Sequence, residues 1–422
     1  MSTATQALTI LAEIENRAEL EKCLAAIAAD LDNNVVFRPR DLPATHFTRF
    51  VIITDEPRNE LPLLLAWEVN HDGDAAAYLA QVARKVRSID RVFEHCRGYP
   101  VAGTADLDGW VAWMLDHSHH ATAFYTAYRG VPRSQVVNDG EVHDAIRDIV
   151  DRDRLELSQY PATEIQRRVA SELHARRPEL DITSEEDPSW ALQWLLAILI
   201  GVPVAIVLLV ILGPWALLLR RHETTDPAPR YHRPVHDLKG MQRFEDQVTQ
   251  NQLTHLVDIK PGWFRLFTVW TVLTVIDGLA RVYFVDGALG GITSIHFARW
   301  VIVRDHRRVP RKHKRHRLLF FSNYDGSWES YLGEFVDRAS TGLTAVWSNT
   351  VDFPRSYFLL WDGAKDEEAF KQWTRDHQIE SQVWWTGVPM STVQNVRDDV
   401  AIRRRLQLPL PDDEAIEWLE KL

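Results

Sequence analysis

The chain has 422 residues, 45% hydrophobic and 25% charged, a balance that excludes wholesale disorder and leaves room for two or three domains. Its net charge of -11 excludes general affinity for nucleic acid, which draws on a basic surface, so any basic contact has to be local. Two cysteines, Cys23 and Cys96, have neither a disulfide framework nor metal-ligand spacing.

The opening MSTATQALTILAEIEN holds no basic region and no apolar core of signal-peptide length, so the first half is expected to fold on the side where it is made. A strand is expected at LTILAEIEN, residues 8–16, and a helix over 18–31. Residues 45–52, THFTRFVI, read as a second strand from their β-branched and aromatic content. An acidic turn, DEPRNELP, leads to a third strand that runs into Asn70-His71-Asp72-Gly73, residue types selected by a turn that opens a helix. His117, His119 and His120 form the cluster HSHH, which reads as a polar helix face more readily than as a metal site, since no carboxylate or Cys stands at fixed spacing.

Residues 194–219, WLLAILIGVPVAIVLLVILGPWALLL, form an uncharged run of 26, against about 20 needed to cross a bilayer. Trp190, Trp194 and Trp215 lie near its ends, where indole rings favour the headgroup level. Pro203 and Gly213-Pro214 leave two forms open, a kinked span and a shallow helical hairpin. Glu185, Glu186 and Asp187 precede the run, and Arg220, Arg221, Arg230 and Arg233 follow it. The positive-inside rule therefore places the C-terminal side in the cytoplasm, at the cell inner membrane.

Beyond this run the pattern of the first half returns. LTHLVDIKP at 253–261 answers residues 8–16, and Ile295-His296-Phe297-Ala298-Arg299-Trp300-Val301-Ile302 answers residues 45–52. Asn323-Tyr324-Asp325-Gly326 answers residues 70–73, Tyr331-Leu332 answers Tyr78-Leu79, and Gly387-Val388-Pro389 answers Gly130-Val131-Pro132. Each copy, roughly 6–150 and 253–406, alternates strand, helix, strand, strand, helix, strand, the ferredoxin-like order. The expected fold is α+β: two tandem ferredoxin-like (βαββαβ) units over 1–155 and 251–410 whose antiparallel sheets pair. A linker over 156–250 carries the membrane-inserting helical segment, and 411–422 are a tail.

A second apolar stretch, 263–285, takes the place of the first helix of the unit. It carries Arg265, Asp277 and Arg281, costly in hydrocarbon, so it reads as a domain helix lying on the membrane. Sheets that pair must share one side of the membrane, which a single crossing between them forbids. A re-entrant hairpin, a second crossing at Trp263, or pairing between subunits of a homo-oligomer each removes the conflict, and the lack of a signal peptide together with the basic flank after Leu219, each placing its own side in the cytoplasm, favours the hairpin.

The pairs His46/Arg49 and His296/Arg299 are the first candidates for chemistry: a His as ligand or acid-base group, an Arg as oxyanion partner. In a regular strand residues three apart face opposite sides, so only one of each pair is expected to enter the space between the sheets. The plain alternative is a hydrogen-bonded core His and an ion-paired Arg. The loop 306–317 holds seven Lys or Arg among twelve residues, namely Arg307, Arg308, Arg311, Lys312, Lys314, Arg315 and Arg317, a candidate site for anionic membrane lipids. Sixteen Trp, six of them in the second copy after residue 320, can line a cavity for a small hydrophobic ligand or fill a core. Phosphate loops, nucleophile elbows and zincin helices are missing from the sequence.

The duplicated strand and helix order, over about 300 residues, resembles the dimeric α/β-barrel superfamily, which includes dye-decolourising peroxidases, chlorite dismutases and small monooxygenases. HFARWVI and LLFFSNYDGSWESYL also resemble an uncharacterised bacterial membrane-associated family. In the peroxidases a Gly-x-x-Asp-Gly motif supplies the distal acid, and residues 322–326, SNYDG, are similar except for Ser322 in the first place. The resemblance implies haem, with Asp325 as proton-handling acid, Arg299 beside it, His296 as the ligand of the haem iron, and Asn323 and Trp300 against the cofactor. Two functions are thus in play: a membrane-attached haem oxidoreductase, and a non-catalytic membrane scaffold, sensor or anionic-lipid-binding protein.

Overall fold

The computed structural model describes residues 5–56, 58–183, 214–227, 229, 245, 248–282, 289–304 and 314–422. Most of the apolar run, 194–213, and the basic residues Arg307, Arg308, Arg311 and Lys312 lie outside the described residues.

Long strands form where β-branched and aromatic residues dominate. In chain order the strands are β1 (Thr5–Glu13), β2 (Thr45–Ile53), β3 (Leu64–Asp72), β4 (Ala123–Thr126), β5 (Gln250–Asp258), β6 (Ile295–Val303), β7 (Arg317–Asp325), a small hairpin β8 (Ser356–Tyr357) and β9 (Trp361–Asp362), and β10 (Val383–Thr386). The principal helices are α1 (Arg17–Ala29), α2 (Ala75–Lys85), α3 (Leu107–Asp116), α4 (Arg133–Arg152), α5 (Ala162–Arg176), α6 (residues 214–225), α7 (Trp263–Val282), α8 (Trp328–Trp347), α9 (Glu367–His377), α10 (Val393–Arg405) and α11 (Asp412–Leu419). Side-chain caps start several of them: Asn16 accepts from Glu19 N, Asp74 from Ala77 N, Ser327 from Ser330 N, and Thr392 forms a capping box with Asn395.

The protein is α+β, with two four-stranded antiparallel sheets ordered β1-β3-β2-β10 and β5-β7-β6-β4. The last strand of each sheet comes from the other half of the chain, an exchange that the periodicity did not reveal. β10 runs along β2 with Trp384 opposite Arg49, and β4 runs along β6 with Phe124 opposite Arg299. A sheet ending at β2 or β6 would leave a bare edge of backbone donors and acceptors, and the four-residue strand from the other half covers it.

The exchange also corrects an alignment. Gly387 N donates to His46 O, as Ala127 N does to His296 O, so 387 stands where 127 stands. Gly130 and Met390, at φ 77° and 67°, then share a turn position, and the Gly-Val-Pro triplets that match by eye sit three residues out of register.

Each sheet has one face under helices and one against the other sheet. Ile10, Phe50, Ile52, Leu65 and Trp67 pack beneath α1 and α2. The residues between them, Leu11, Val51, Ile53 and Ala66, meet Val301, Val303, Leu319 and Phe321 of the second sheet. Outside this body α4 packs on α10 through the buried pair Asp139–Arg403, 2.8 Å, and α11, within the expected tail, packs on α5.

Candidate functional site

The strand register explains how both members of each His/Arg pair reach the space between the sheets. Along β2 and β3, Thr45 pairs with His71 and Phe47 with Asn70, so His46 is an extra residue in a β-bulge; the same slip occurs between Ile295 and Phe297 of β6. The bulge resets the alternation. His46 and Arg49 are both fully buried, with the His46 ring 5.3 Å from Phe297 of the other sheet. The expectation that one of each pair faces away is therefore corrected, the bulge being the reason.

The two arginines cross between the sheets in opposite directions. Arg49 Nη1 donates to Gln252 Oε1, Leu253 O and Thr254 Oγ1 at 3.0–3.2 Å, and Nη2 to Ser322 O at 3.0 Å and Asn323 Oδ1 at 2.6 Å. Arg299 Nη1 donates to Leu8 O at 2.7 Å and Thr9 Oγ1 at 3.2 Å, and Nη2 to Val69 O at 2.9 Å and to Asn70 Oδ1. Between them lies a single carboxylate. Glu68 binds Arg49 Nε through Oε2 and Arg299 Nη2 through Oε1, both at 2.8 Å, and accepts from Asn70 Nδ2. Burial lowers both guanidinium pKa values, that of Arg299 to about 10 despite the attraction of Glu68; guanidinium groups keep their proton in proteins. The position equivalent to Glu68 in the second sheet is Phe321, whose ring lies 5.3 Å from the Arg49 guanidinium.

The histidines are held by the aspartates of the turn motif. His46 Nε2 lies 2.8 Å from Asp72 Oδ1, and His296 Nε2 lies 2.8 Å from Asp325 Oδ1. The second oxygen of each Asp accepts a backbone N–H at the start of a later helix: Arg133 N of α4 at 2.8 Å and Val393 N of α10 at 2.7 Å. These aspartates therefore anchor α4 and α10, while Asp74 and Ser327 cap α2 and α8, the helices that follow the motif. Tyr128 OH lies 3.1 Å from His296 Nδ1. Burial, with Asp325 and Asp72 adding to it, raises the Tyr128 phenol well above its ordinary value, so the hydroxyl keeps its proton beside Nδ1.

The expected site residues divide accordingly. Asp325 and Arg299 are not partners, since Arg299 spends its donors on β1 and β3 and Asp325 on His296 and Val393. Trp300 faces the helices on the opposite side of β6, its ring centroid 4.7 Å from that of Phe320. Asn323 serves Arg49 and Trp384 Nε1. Arg315 pairs with Asp55 and Asp258, Arg317 is buried, and Lys314 is exposed. Sequence reasoning missed Glu68 and Tyr128. A lone carboxylate inside LLAWEVNH was the available signal for the first; nothing marked the second.

Cavities of about 250, 410 and 440 Å³ lie elsewhere, lined respectively by residues such as Asp258 and Arg315, Trp113 and His117, and Arg129 and Asp277. The site does not fit a haem. Both His296 nitrogens have partners, Trp300 points away, and the space between the sheets is taken by side chains. Among the described residues no cluster of His, Cys, Asp or Glu has the makings of a metal site, the HSHH residues included.

The fold and the site define a two-sheet α+β protein with strands exchanged between its halves and a buried Arg–Glu–Arg bridge at its centre. Protein-family models, curated proteins and solved structures yield no match to the chain.

Proposed function

We propose that this is a membrane-attached, non-catalytic scaffold made of two tandem ferredoxin-like units that arose by internal duplication, held on the cytoplasmic side of the inner membrane. The observation that carries the reading is the closed space between the sheets. The arginines of the two His/Arg pairs, Arg299 being the one that the peroxidase resemblance would assign to chemistry, instead tie one sheet to the other: Arg49 and Arg299 each bond across the gap to backbone carbonyls and side chains of the opposite sheet. A donor set already saturated within the protein has nothing to offer a reacting group. The long uncharged run at 194–219 and the arginines after it support attachment and its side. The test is the absorption spectrum of the detergent-purified protein before and after adding haem. The expected result is no Soret band and no saturable uptake; a band that shifts in His296→Ala would overturn the scaffold in favour of a haem protein.

A further inference from the structure

Helix α7 is built into the fold along one side and bare along the other. Leu273 and Val269 are buried, while Trp263 is 74% exposed and Phe267, Trp270, Val275 and Leu279 also face outward. Polar groups along the helix are spoken for. The Thr271 and Thr274 hydroxyls donate to the carbonyls of Phe267 and Trp270 on the same helix, at 2.9 and 2.8 Å. Arg265 is buried against Asp226, Asp277 Oδ1 accepts from Phe124 N and its Oδ2 pairs with Arg281, and Arg129 covers the carbonyls of Ala280 and Arg281. Such a face offers water little beyond the indole N–H groups of Trp263 and Trp270 and the Asp277-paired Arg281, groups that suit the headgroup layer.

What covers it follows from where the apolar run ends. The run passes into α6, and there Trp215 stacks on Phe264 at 4.2 Å and lies 5.3 Å from Phe267, while Leu217 is 72% exposed beside it. α6 is fixed to the body. Asp226, next after its last turn, binds Lys260 and Arg265, and the Glu223 carboxylate accepts from Phe358 N and Leu359 N. At the other end of the undescribed stretch Leu180 and Ile182 are buried and Thr183 O accepts from Arg403. Both ends are thus attached to one body whose two sheets share strands. A single crossing between them would require that body on both sides of the membrane at once.

We propose that the outward face of α7, continued by Leu217 and Leu218, docks on one leaflet of a lipid bilayer, and that both sheets stand on the same side of it. The proposal rests on the membrane-attached reading and adds the surface and the topology to it.

The experiment uses the full chain, with Cys23→Ser and the buried Cys96 left in place, carrying one added cysteine, Trp270→Cys or Val275→Cys, labelled with an environment-sensitive fluorophore, the parent with no added cysteine serving as the labelling blank. A control label goes on Val101→Cys, whose side chain is fully exposed. In phosphatidylcholine/phosphatidylglycerol vesicles the α7 labels shift to the blue, lose quenching by iodide and gain quenching by brominated acyl chains, while the Val101→Cys label stays aqueous. Protection from iodide without quenching by brominated lipid means that a second copy or another segment covers α7, and overturns the bilayer as occupant. Aqueous α7 labels on protein that still sediments with vesicles overturn the docking face alone, whereas failure to sediment at all sinks the membrane-attached reading beneath it. In sealed membrane vesicles of known orientation, an impermeant maleimide labels Val101→Cys and Ile416→Cys from the same side; labelling from opposite sides overturns the topology.

Discussion

Replacing Glu68 by Gln keeps the side chain's shape and one acceptor but removes the one carboxylate that, among the described residues, binds Arg49 and Arg299. Both guanidinium groups are fully buried, and both 2.8 Å charge-assisted contacts go at once. Two cations are then left facing each other with carbonyls and amides for company. Breaking a buried ion pair from one side costs about 3–5 kcal/mol because a charge remains without its partner. With roughly 2.1 cal/mol/K of unfolding entropy per residue over about 350 folded residues, each kcal/mol moves the midpoint by about 1.3 °C, so Glu68→Gln is expected to lower Tm by about 4–7 °C. The assay is calorimetry at neutral pH, beside a triple variant in which Arg49→Met, Glu68→Leu and Arg299→Met remove every charge together. The triple variant is expected to lose less than Glu68→Gln alone, since apolar replacement of a whole buried charged group is often neutral. A Glu68→Gln protein melting within about 1 °C of the parent, well inside the loss expected for a stranded buried charge, would refute the claim that the bridge holds the sheets together.

His71 stacks on Tyr78 at 4.3 Å, and burial lowers its pKa to about 4, so folding favours the neutral ring. The unfolded chain binds the extra proton, and stability present above about pH 6.5 is lost as pH falls toward 4, by about 3 kcal/mol in all; His71→Phe should flatten that part of the urea-midpoint profile, and an unchanged slope would refute the assignment. Gly387→Ala sets a Cβ 2.5 Å from Thr45 O and against the Arg133 side chain, and should cost about 1–3 kcal/mol in urea unfolding, a loss that Ala127→Gly does not reproduce by the same route. Cutting the chain at a protease site placed between Thr183 and Pro214 should leave two fragments that co-elute in gel filtration without denaturant, because each carries a strand of the other's sheet; fragments that separate would contradict the exchange.

Sequence pattern revealed what is local and periodic. The nine-residue strands, α1 and α7 as domain helices, and the equivalence of His46 with His296 and Asp72 with Asp325 follow from alternation and residue type alone. The exchange of β4 and β10 was hidden because both are four residues long, and they pair across about 170 residues (β4 with β6, Thr126 to Phe297) and about 335 residues (β10 with β2, Phe50 to Val383). The bulges at His46 and His296 were equally silent. A bulge adds one residue without changing composition, so counting by twos along the strand gave the wrong face. The role of Asp72 and Asp325 was half legible: Asn, Asp and Gly announced a turn, but the helix whose start each aspartate holds lies about 60 or 70 residues further on.

The difference between Glu68 and Phe321 bears on why two such units share one chain. Two first halves paired in the same way would bring two arginines and two glutamates together; two second halves would bury two arginines with no carboxylate at all. That second pairing carries the cost of two stranded cations, so it is selected against without any steric clash. A first half facing a second half has one Glu68 between two arginines, a Phe321 ring beside Arg49, and Tyr128 OH for His296 but no hydroxyl in the equivalent place for His46, where Val388 stands. The halves keep a common plan but are no longer interchangeable. Tethering them in one chain supplies the mixed pair at every synthesis, and the strand exchange then makes that pair hard to undo.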